Sequence, residues 1–366
     1  MTWKQWIVSG MLAVLLGLSL TGCWDDETVT QRATAFVLSI MPASDHEFRF
    51  TFYFPNPAQS ISTNVNLPSS EPFAKTPVIA HSISQAIREA QRDLARDLFL
   101  GQLQDIIVSR DIPAQNIDRL VQEYNRDAYS SNTVFVVAEP TGPDPLPVTT
   151  QEPVPSVYYT QYFNCSTCQP AYLSRPVWKV WDAFVTPGVS PIIPYASPPT
   201  RIVRMLVYPV KGRPVLMTRD ESRGWALMMN HVHKESYWFR KDGGATVIKR
   251  LRARAHVQLT YRAGHLIANV RIDAHGSLIE WPPDFLVTPQ NVGLAQAITS
   301  KEIITECLKA VDFANRTRTD PFGWGRNYLF AHPDQGLQFA SQRGMVWPIT
   351  AHVTVITHLS TSGVSD

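Results

Sequence analysis

Charge is scarce in this 366-residue chain: 17% of its residues are Asp, Glu, Lys or Arg, and 33 basic against 31 acidic side chains leave a formal +2. Neither a disordered polyelectrolyte nor a nucleic-acid-binding chain has that balance. Cysteine is scarcer still. The four thiols, at positions 23, 165, 168 and 307, are too few for a disulfide scaffold and wrongly spaced for a four-thiolate zinc site. Glycine, at 18, is outnumbered by 28 prolines, so many connections are stiff. Beyond the first 23 residues no apolar run approaches the roughly twenty residues that span a bilayer. There is no fixed-period repeat, and no nucleophile elbow, phosphate loop or Ser-x-x-Lys pair. At about one domain per 150 residues, the length predicts two or three units, each with a core of its own.

What is present begins at the amino terminus. Lys4 supplies a positive start, Ile7 to Leu20 is an apolar stretch, and Leu20-Thr21-Gly22-Cys23 closes it. The stretch is short for a span and matches a secretory leader. Leu-Thr-Gly-Cys is a lipobox, which makes Cys23 the lipidated first residue of a mature chain held on the outer face of a membrane; two or three acyl chains anchor stably where one does not. An ordinary signal peptide or an uncleaved anchor ending by chance in Cys is the alternative.

Hydrophobic periodicity predicts an α+β chain of several units with mixed sheets and flanking helices, the C-terminal half being a strand-rich sheet packed on one long helix. Ala33 to Met41 and the alternating Phe48, Phe50, Phe52 and Phe54 read as a hairpin. Ser82, with Gln85 three residues on, opens an amphipathic helix through Leu98. A strand at 104–109, a helix at 117–124 and a strand at 133–138 follow. Pro-rich stretches at 139–155 and 187–199 flank Tyr158 to Phe163 and Val177 to Val185, both strand-like. Strands are then expected at 202–210, 214–218, 224–229, 236–240, 246–261, 266–272 and 343–358, with a helix from about Asn291 to Arg316 whose stripe is Ile303, Ile304, Cys307, Leu308 and Val311. The expected organisation is a leader at 1–22, an α+β domain at 23–140, a Pro-rich linker or small β subdomain at 141–200, and an α+β domain at 201–366.

In this order the segments resemble the Ger(x)C family, the lipoprotein C subunits of bacterial spore germinant receptors. The blocks that carry the resemblance are Cys23-Trp24-Asp25 after the lipobox, Ser82 to Glu89 running on to Leu100 to Val108, Thr133 to Ala138, Gly212 to Trp225, and Asp320-Pro321-Phe322-Gly323-Trp324-Gly325. Gln102 stands where the family usually has His. The resemblance implies a non-catalytic lipoprotein of the spore inner membrane, without cofactor or nucleic acid, working in germination with the integral-membrane A and B subunits of a receptor. It does not extend to the Pro-rich middle with Cys165 and Cys168. A lipid-anchored solute-binding protein and an exported hydrolase or redox enzyme are the alternatives, and alternating strand and helix patterns would favour the first of them.

Candidate chemistry is sparse. Cys165-Ser166-Thr167-Cys168 reads as a redox pair, half a zinc site or a local disulfide, the last being favoured outside the membrane. His231-x-His233 sets two imidazoles at strand spacing without a further ligand motif. Glu221 to Gly224 reads as a turn before a strand, with Glu221 and Arg223 bonded locally, and Gly323-x-Gly325 as a connection that follows a helix. Cys307 reads as a buried small hydrophobe. Between Arg240 and Arg262, seven basic residues face the lone Asp242. Arg250, Arg252 and Arg254 alternate there, either as a solvated strand face or as a contact for anionic lipid headgroups or an acidic partner.

Overall fold

In the computed structural model, which describes residues 32–55, 73–142, 155–164, 176–197, 201–281, 288–336 and 344–361, less 45, 95, 127–129 and 242–243, together with 3, 5–7, 10 and 11, two sheets share one core. The first part of the chain runs β1 (Arg32–Thr34), β2 (Val37–Pro42), β3 (Phe48–Pro55), β4 (Phe73–Ala80), α1 (Ile83–Asp93), β5 (Asp97–Phe99), β6 (Asp105–Ser109), α2 (Ala114–Arg126), β7 (Phe135–Glu139), α3 (Pro155–Asn164), α4 (Val177–Val185), β8 (Ile192–Ser197), β9 (Arg201–Val207) and β10 (Val215–Leu216). Eight of these strands form one sheet in the order β10-β9-β8-β7-β6-β2-β3-β4. Its centre is parallel and its flanks antiparallel.

Parallel strands are covered on both faces, and β6 is buried at all five positions. The four phenylalanines of β3 point to one face, into a core shared with Ala86 and Ala90 of α1, Ile117 and Leu120 of α2, and Val177 and Val180 of α4. Ser82 caps α1 by accepting from the Gln85 N–H at 3.2 Å, and the Gln85 side chain reaches back to the His81 N–H. The opposite face, with Val37, Ile107, Val137 and Ile192, joins a second core that runs through Tyr159 of α3 into the rest of the molecule.

The rest comprises α5 (Arg219–Met228), β11 (His233–Lys241), β12 (Gly244–Arg262), β13 (His265–Glu280), α6 (Pro289–Thr317), α7 (Trp324–Ala331), α8 (Pro333–Gly336) and β14 (Ile349–Ser360). The sheet order is β11-β12-β13-β14, antiparallel except for β13 with β14. Ala263 and Gly264, both at positive φ, make the two-residue turn between β12 and β13, as right-handed strand twist favours. The parallel pair needs a crossover, and α6 supplies it. Thr288 caps α6, and Ile303, Cys307, Ala310 and Phe313 press it against the sheet. The expected α+β class and the late helix under a strand-rich sheet are both present.

Several local expectations fail for identifiable reasons. Residues 158–163 and 177–185 are helical, not extended: their aromatic and β-branched residues favour strands, yet Val177 and Val180 lie one helical turn apart and face the same core. Residues 224–229 belong to a helix end, not a strand. Every position from Glu221 to Met228 is buried, so no polar face survives to reveal the period. Leu308 is not in the buried stripe of α6; it is 43% exposed. Gly323, at φ 65, stands at the N-cap of α7 and so opens a helix. Apart from these failures, the chain on either side of 200/201 forms β8 and β9, which pair, and the sheet continues to Leu216.

Candidate functional site

Cys23, Cys165 and Cys168 lie outside the described residues. Cys307 is a free, buried thiol, pushed far up by burial. No described helix is long and apolar enough to cross a membrane, and no three His, Cys, Asp or Glu side chains cluster at metal-binding geometry among the described residues. His231 and His233 are not brought together. His231 stands beside the Trp225 ring, 5.5 Å between centroids, on a groove between the two sheets. His233 instead pairs with Arg252 across the β11–β12 ladder.

Arg252 and Arg254 project from the exposed side of β12, because Leu251, Ala253 and Ala255 take the buried side against α6. That side of the sheet is uncovered. Its ladder sets His233, Arg252, His275 and His358 opposite one another across all four strands. Arg254, Asp273 and Ile356 form the next row, then His256, Arg271 and Thr354. Arg250 departs from simple alternation. The β12–β13 register slips between Lys249 and Arg252, and Arg250 occupies the bulge at φ 55. Its side chain lines an open cavity of about 510 Å³ together with Arg252, His275 and His358. Sequence reading found the arginines and missed the histidines, because cross-strand neighbours lie about twenty and a hundred positions away.

A second polar assembly joins the two sheets. Asp320 is buried, and its carboxylate accepts from the Phe322 N–H at 3.1 Å and the Gly325 N–H at 2.7 Å. Its own backbone exchanges hydrogen bonds with Ser190, whose Oγ accepts from the Asp320 N–H at 2.9 Å while the Ser190 N–H donates to the Asp320 carbonyl at 2.8 Å. The Arg326 N–H donates to the Gly188 carbonyl, and Arg326 Nη1 meets Asp182 Oδ2 of α4 at 3.0 Å. Trp225 Nε1 donates to the Pro321 carbonyl at 2.9 Å. Burial pushes the Asp320 carboxyl up to about 6 against the pull of four backbone N–H groups. The Asp320-Pro321-Phe322-Gly323-Trp324-Gly325 block is therefore a fastening between the parts of the chain. Beside it, Trp178, Asp182, His231 and Arg326 line a groove of about 320 Å³.

Two buried acidic sites were not foreseen. Arg223, read as locally bonded, instead reaches from α5 to Glu306 of α6: Nε donates to Oε2 at 2.8 Å and Nη2 to Oε1, with the guanidinium 4.3 Å over the Tyr237 ring. The helix that carries Arg223 was legible, since Thr218-x-x-Glu221 is a capping box that opens α5 with bonds in both directions; its contact with Glu306 was not. Under α3, Glu139 accepts from the Tyr159 hydroxyl, and burial raises its carboxyl to about 8. Asp105 is fully buried with neither carboxylate oxygen bonded among the described residues. Burial, and secondarily the Glu139 charge, hold its carboxyl well above the usual range.

Residues 25–198 match the model described as spore germination protein N-terminal domain, and residues 216–362 match spore germination B3/GerAC like, C-terminal. No curated protein matches the sequence. The crystal structure of the GerBC protein has a similar fold, at a TM-score of 0.57 and 12% identity, covering 88% of this chain and 96% of that one.

Proposed function

The chain belongs to the GerAC-like family of spore germination proteins, which are germinant-receptor C subunits and not enzymes, and from that premise we propose that it works as a lipid-anchored subunit assembled with integral-membrane partners. The observation that carries the reading is the match of both family models in chain order, 25–198 and then 216–362, on a fold that follows GerBC over 88% of the chain.

In this reading Cys23 carries the lipid, and the folded body sits on the outer face of the spore's inner membrane beside the integral A and B subunits. The match begins at residue 25, just past that cysteine, which supports the anchor. Tethering replaces a search in three dimensions by one in two, at high effective concentration of partner. The body then supplies contacts. Arg250, Arg252 and Arg254 lie on an uncovered, basic sheet face suited to anionic headgroups or an acidic subunit surface, where each cation near the membrane is worth about 1 kcal/mol. Cys165 and Cys168 close a local loop as a disulfide.

The test is Cys23→Ala in the native host, read by membrane fractionation and by nutrient-triggered germination. Release of the protein from the membrane with loss of germination is the expected result. Normal germination by a protein no longer held at the membrane would refute the anchoring role, and continued membrane retention would refute Cys23 as the anchor.

A further inference from the structure

We propose that the cavity built by the β12 bulge is a binding site for a phosphate group. Three independent features converge on it. The first is the donor set. Arg250, Arg252, His275, His358, Ser277 and Ser360 all line the cavity of about 510 Å³, and no carboxylate does. Guanidinium groups carry only donors, in a planar fork that fits two oxygens of one phosphate. Imidazoles and hydroxyls complete a set that a tetrahedral anion with several acceptors can satisfy from more than one side. Neither Arg250 nor Arg252 has an ion-pair partner among the described residues.

The second feature is backbone shape. Arg250 holds φ 55, a conformation that a residue with a Cβ adopts only when its surroundings impose it, and bulges of this kind re-aim side chains. Opposite the bulge stands Gly276, where an added Cβ would overlap the Ile248 side chain. A glycine there lets the bulged strand close over the ladder and leaves the cavity floor bare. Bulge and glycine lie at the cavity that Arg250 and Arg252 both line.

The third is the ring pair. His275 and His358 face each other across the parallel β13–β14 ladder with ring centroids 4.8 Å apart and planes at 20°. Ser277 Oγ and Ser360 Oγ lie 3.0 Å apart one step further along. The outward side chains of 252–260, 267–277 and 350–360 contain a single carboxylate, Asp273, and that one lies 3.6 Å from Arg271. Nothing on the face neutralises the two cavity arginines from within. The site stands whether or not Cys23 carries lipid. The phosphate can belong to a lipid headgroup or be free in solution, and the experiment separates the two.

The protein to use spans residues 24–366. The family match begins at residue 25, so this span keeps both matched domains whole. Histidine side-chain NMR follows a titration with inorganic phosphate, and co-sedimentation compares phosphatidylglycerol with phosphatidylcholine vesicles. Arg250→Gln with Arg252→Gln is the test variant, checked by circular dichroism for unchanged folding. Arg262→Gln, at the end of β12 away from the cavity, is the control. A saturable shift at His275 and His358 that weakens at least about tenfold in the double variant, the loss expected for two charge-assisted hydrogen bonds, and stays unchanged in the control, supports the site. Vesicle binding confined to phosphatidylglycerol and lost in the double variant identifies the headgroup as its source; phosphate binding without vesicle binding identifies free phosphate. No saturable shift at tens of millimolar phosphate with no vesicle binding overturns the proposal. So does an equal loss in Arg262→Gln, which would mean a diffuse basic effect with no defined site.

Discussion

Replacing Arg223 by Met removes the cation from a pair whose side chains are 7% and 5% exposed. The cost is set by what stays behind. Glu306 loses the Nε bond at 2.8 Å and the Nη2 bond, and it remains in the core with its charge unmatched, which costs about 3–5 kcal/mol. Met fills much of the aliphatic volume, so little of the loss is cavity. Arg223→Met with Glu306→Leu removes both charges and is expected to recover most of the stability, since apolar replacement of a buried pair is often neutral. Urea denaturation followed by tryptophan fluorescence and circular dichroism measures both variants. The pH dependence supplies an internal check. Burial raises the Glu306 carboxyl, and Arg223 opposes that rise. A carboxyl whose folded value lies above its unfolded value favours folding fully below the unfolded value, and that advantage is lost as pH rises toward the folded value. Removing Arg223 lifts the folded value further, so Arg223→Met should cost less at pH 5 than at pH 8. Glu235, half-buried beside the same guanidinium and pushed up to about 7, shifts with the same sign. A cost under about 1 kcal/mol, or a double variant less stable than Arg223→Met alone, would refute a pair buried in this way.

Three further outcomes are expected. Burial pushes the Glu139 carboxyl up to about 8 from an ordinary 4.5, so wild-type stability falls as pH rises from 5 to 8, and Glu139→Gln should flatten that slope, leaving what Asp105, Glu235, Glu306 and Asp320 contribute; parallel slopes in urea titrations would contradict it. Gly224→Ala sets a methyl against the Glu306 carbonyl, where α5 and α6 touch backbone to backbone, and should cost about 1–3 kcal/mol as an overpacked contact, measured by thermal unfolding. Asp320→Asn turns one acceptor oxygen into a donor facing the Phe322 or Gly325 N–H, so a loss of about 1–3 kcal/mol is expected, with limited proteolysis reporting whether the loop at 320–326 opens first.

Legibility in the sequence followed the physics of periodicity. Strand β3 was readable because one face is aromatic throughout, and α6 because its buried residues recur at helical spacing. Helix α5 was not, since burial on every side erased the pattern, though the Thr218 and Glu221 capping pair was there to be read. The arginines of the candidate site could be seen as an alternation along one strand. Their partners could not, because His275 and His358 become neighbours only through ladder register, and a bulge shifts that register by one residue. Buried ionic contacts such as Arg223 with Glu306, 83 positions apart, leave no local trace either.

The shared core constrains how such a subunit can respond to its partners. Relative motion of domains is the default where interfaces are small and polar, as in binding proteins that close on a solute. Here α5 belongs to one core with both sheets, Trp225 is fully buried in it, and the Asp320 loop is stitched to the Ser190 segment through hydrogen bonds of 2.8 and 2.9 Å. Opening the joint would expose Trp225 and Phe322, at about 25 cal/mol for each Å² of apolar surface, and would strand the buried Asp320 carboxylate. Cleft closure is therefore the costly route, and docking or release of the whole body the accessible one. The nine steps of chain from Cys23 to Arg32, where the described body begins, reach at most about 30 Å. With lipid on Cys23, the body lies within that distance of the membrane, and the face that gains from an anionic surface is the one carrying Arg250, Arg252, His275 and His358.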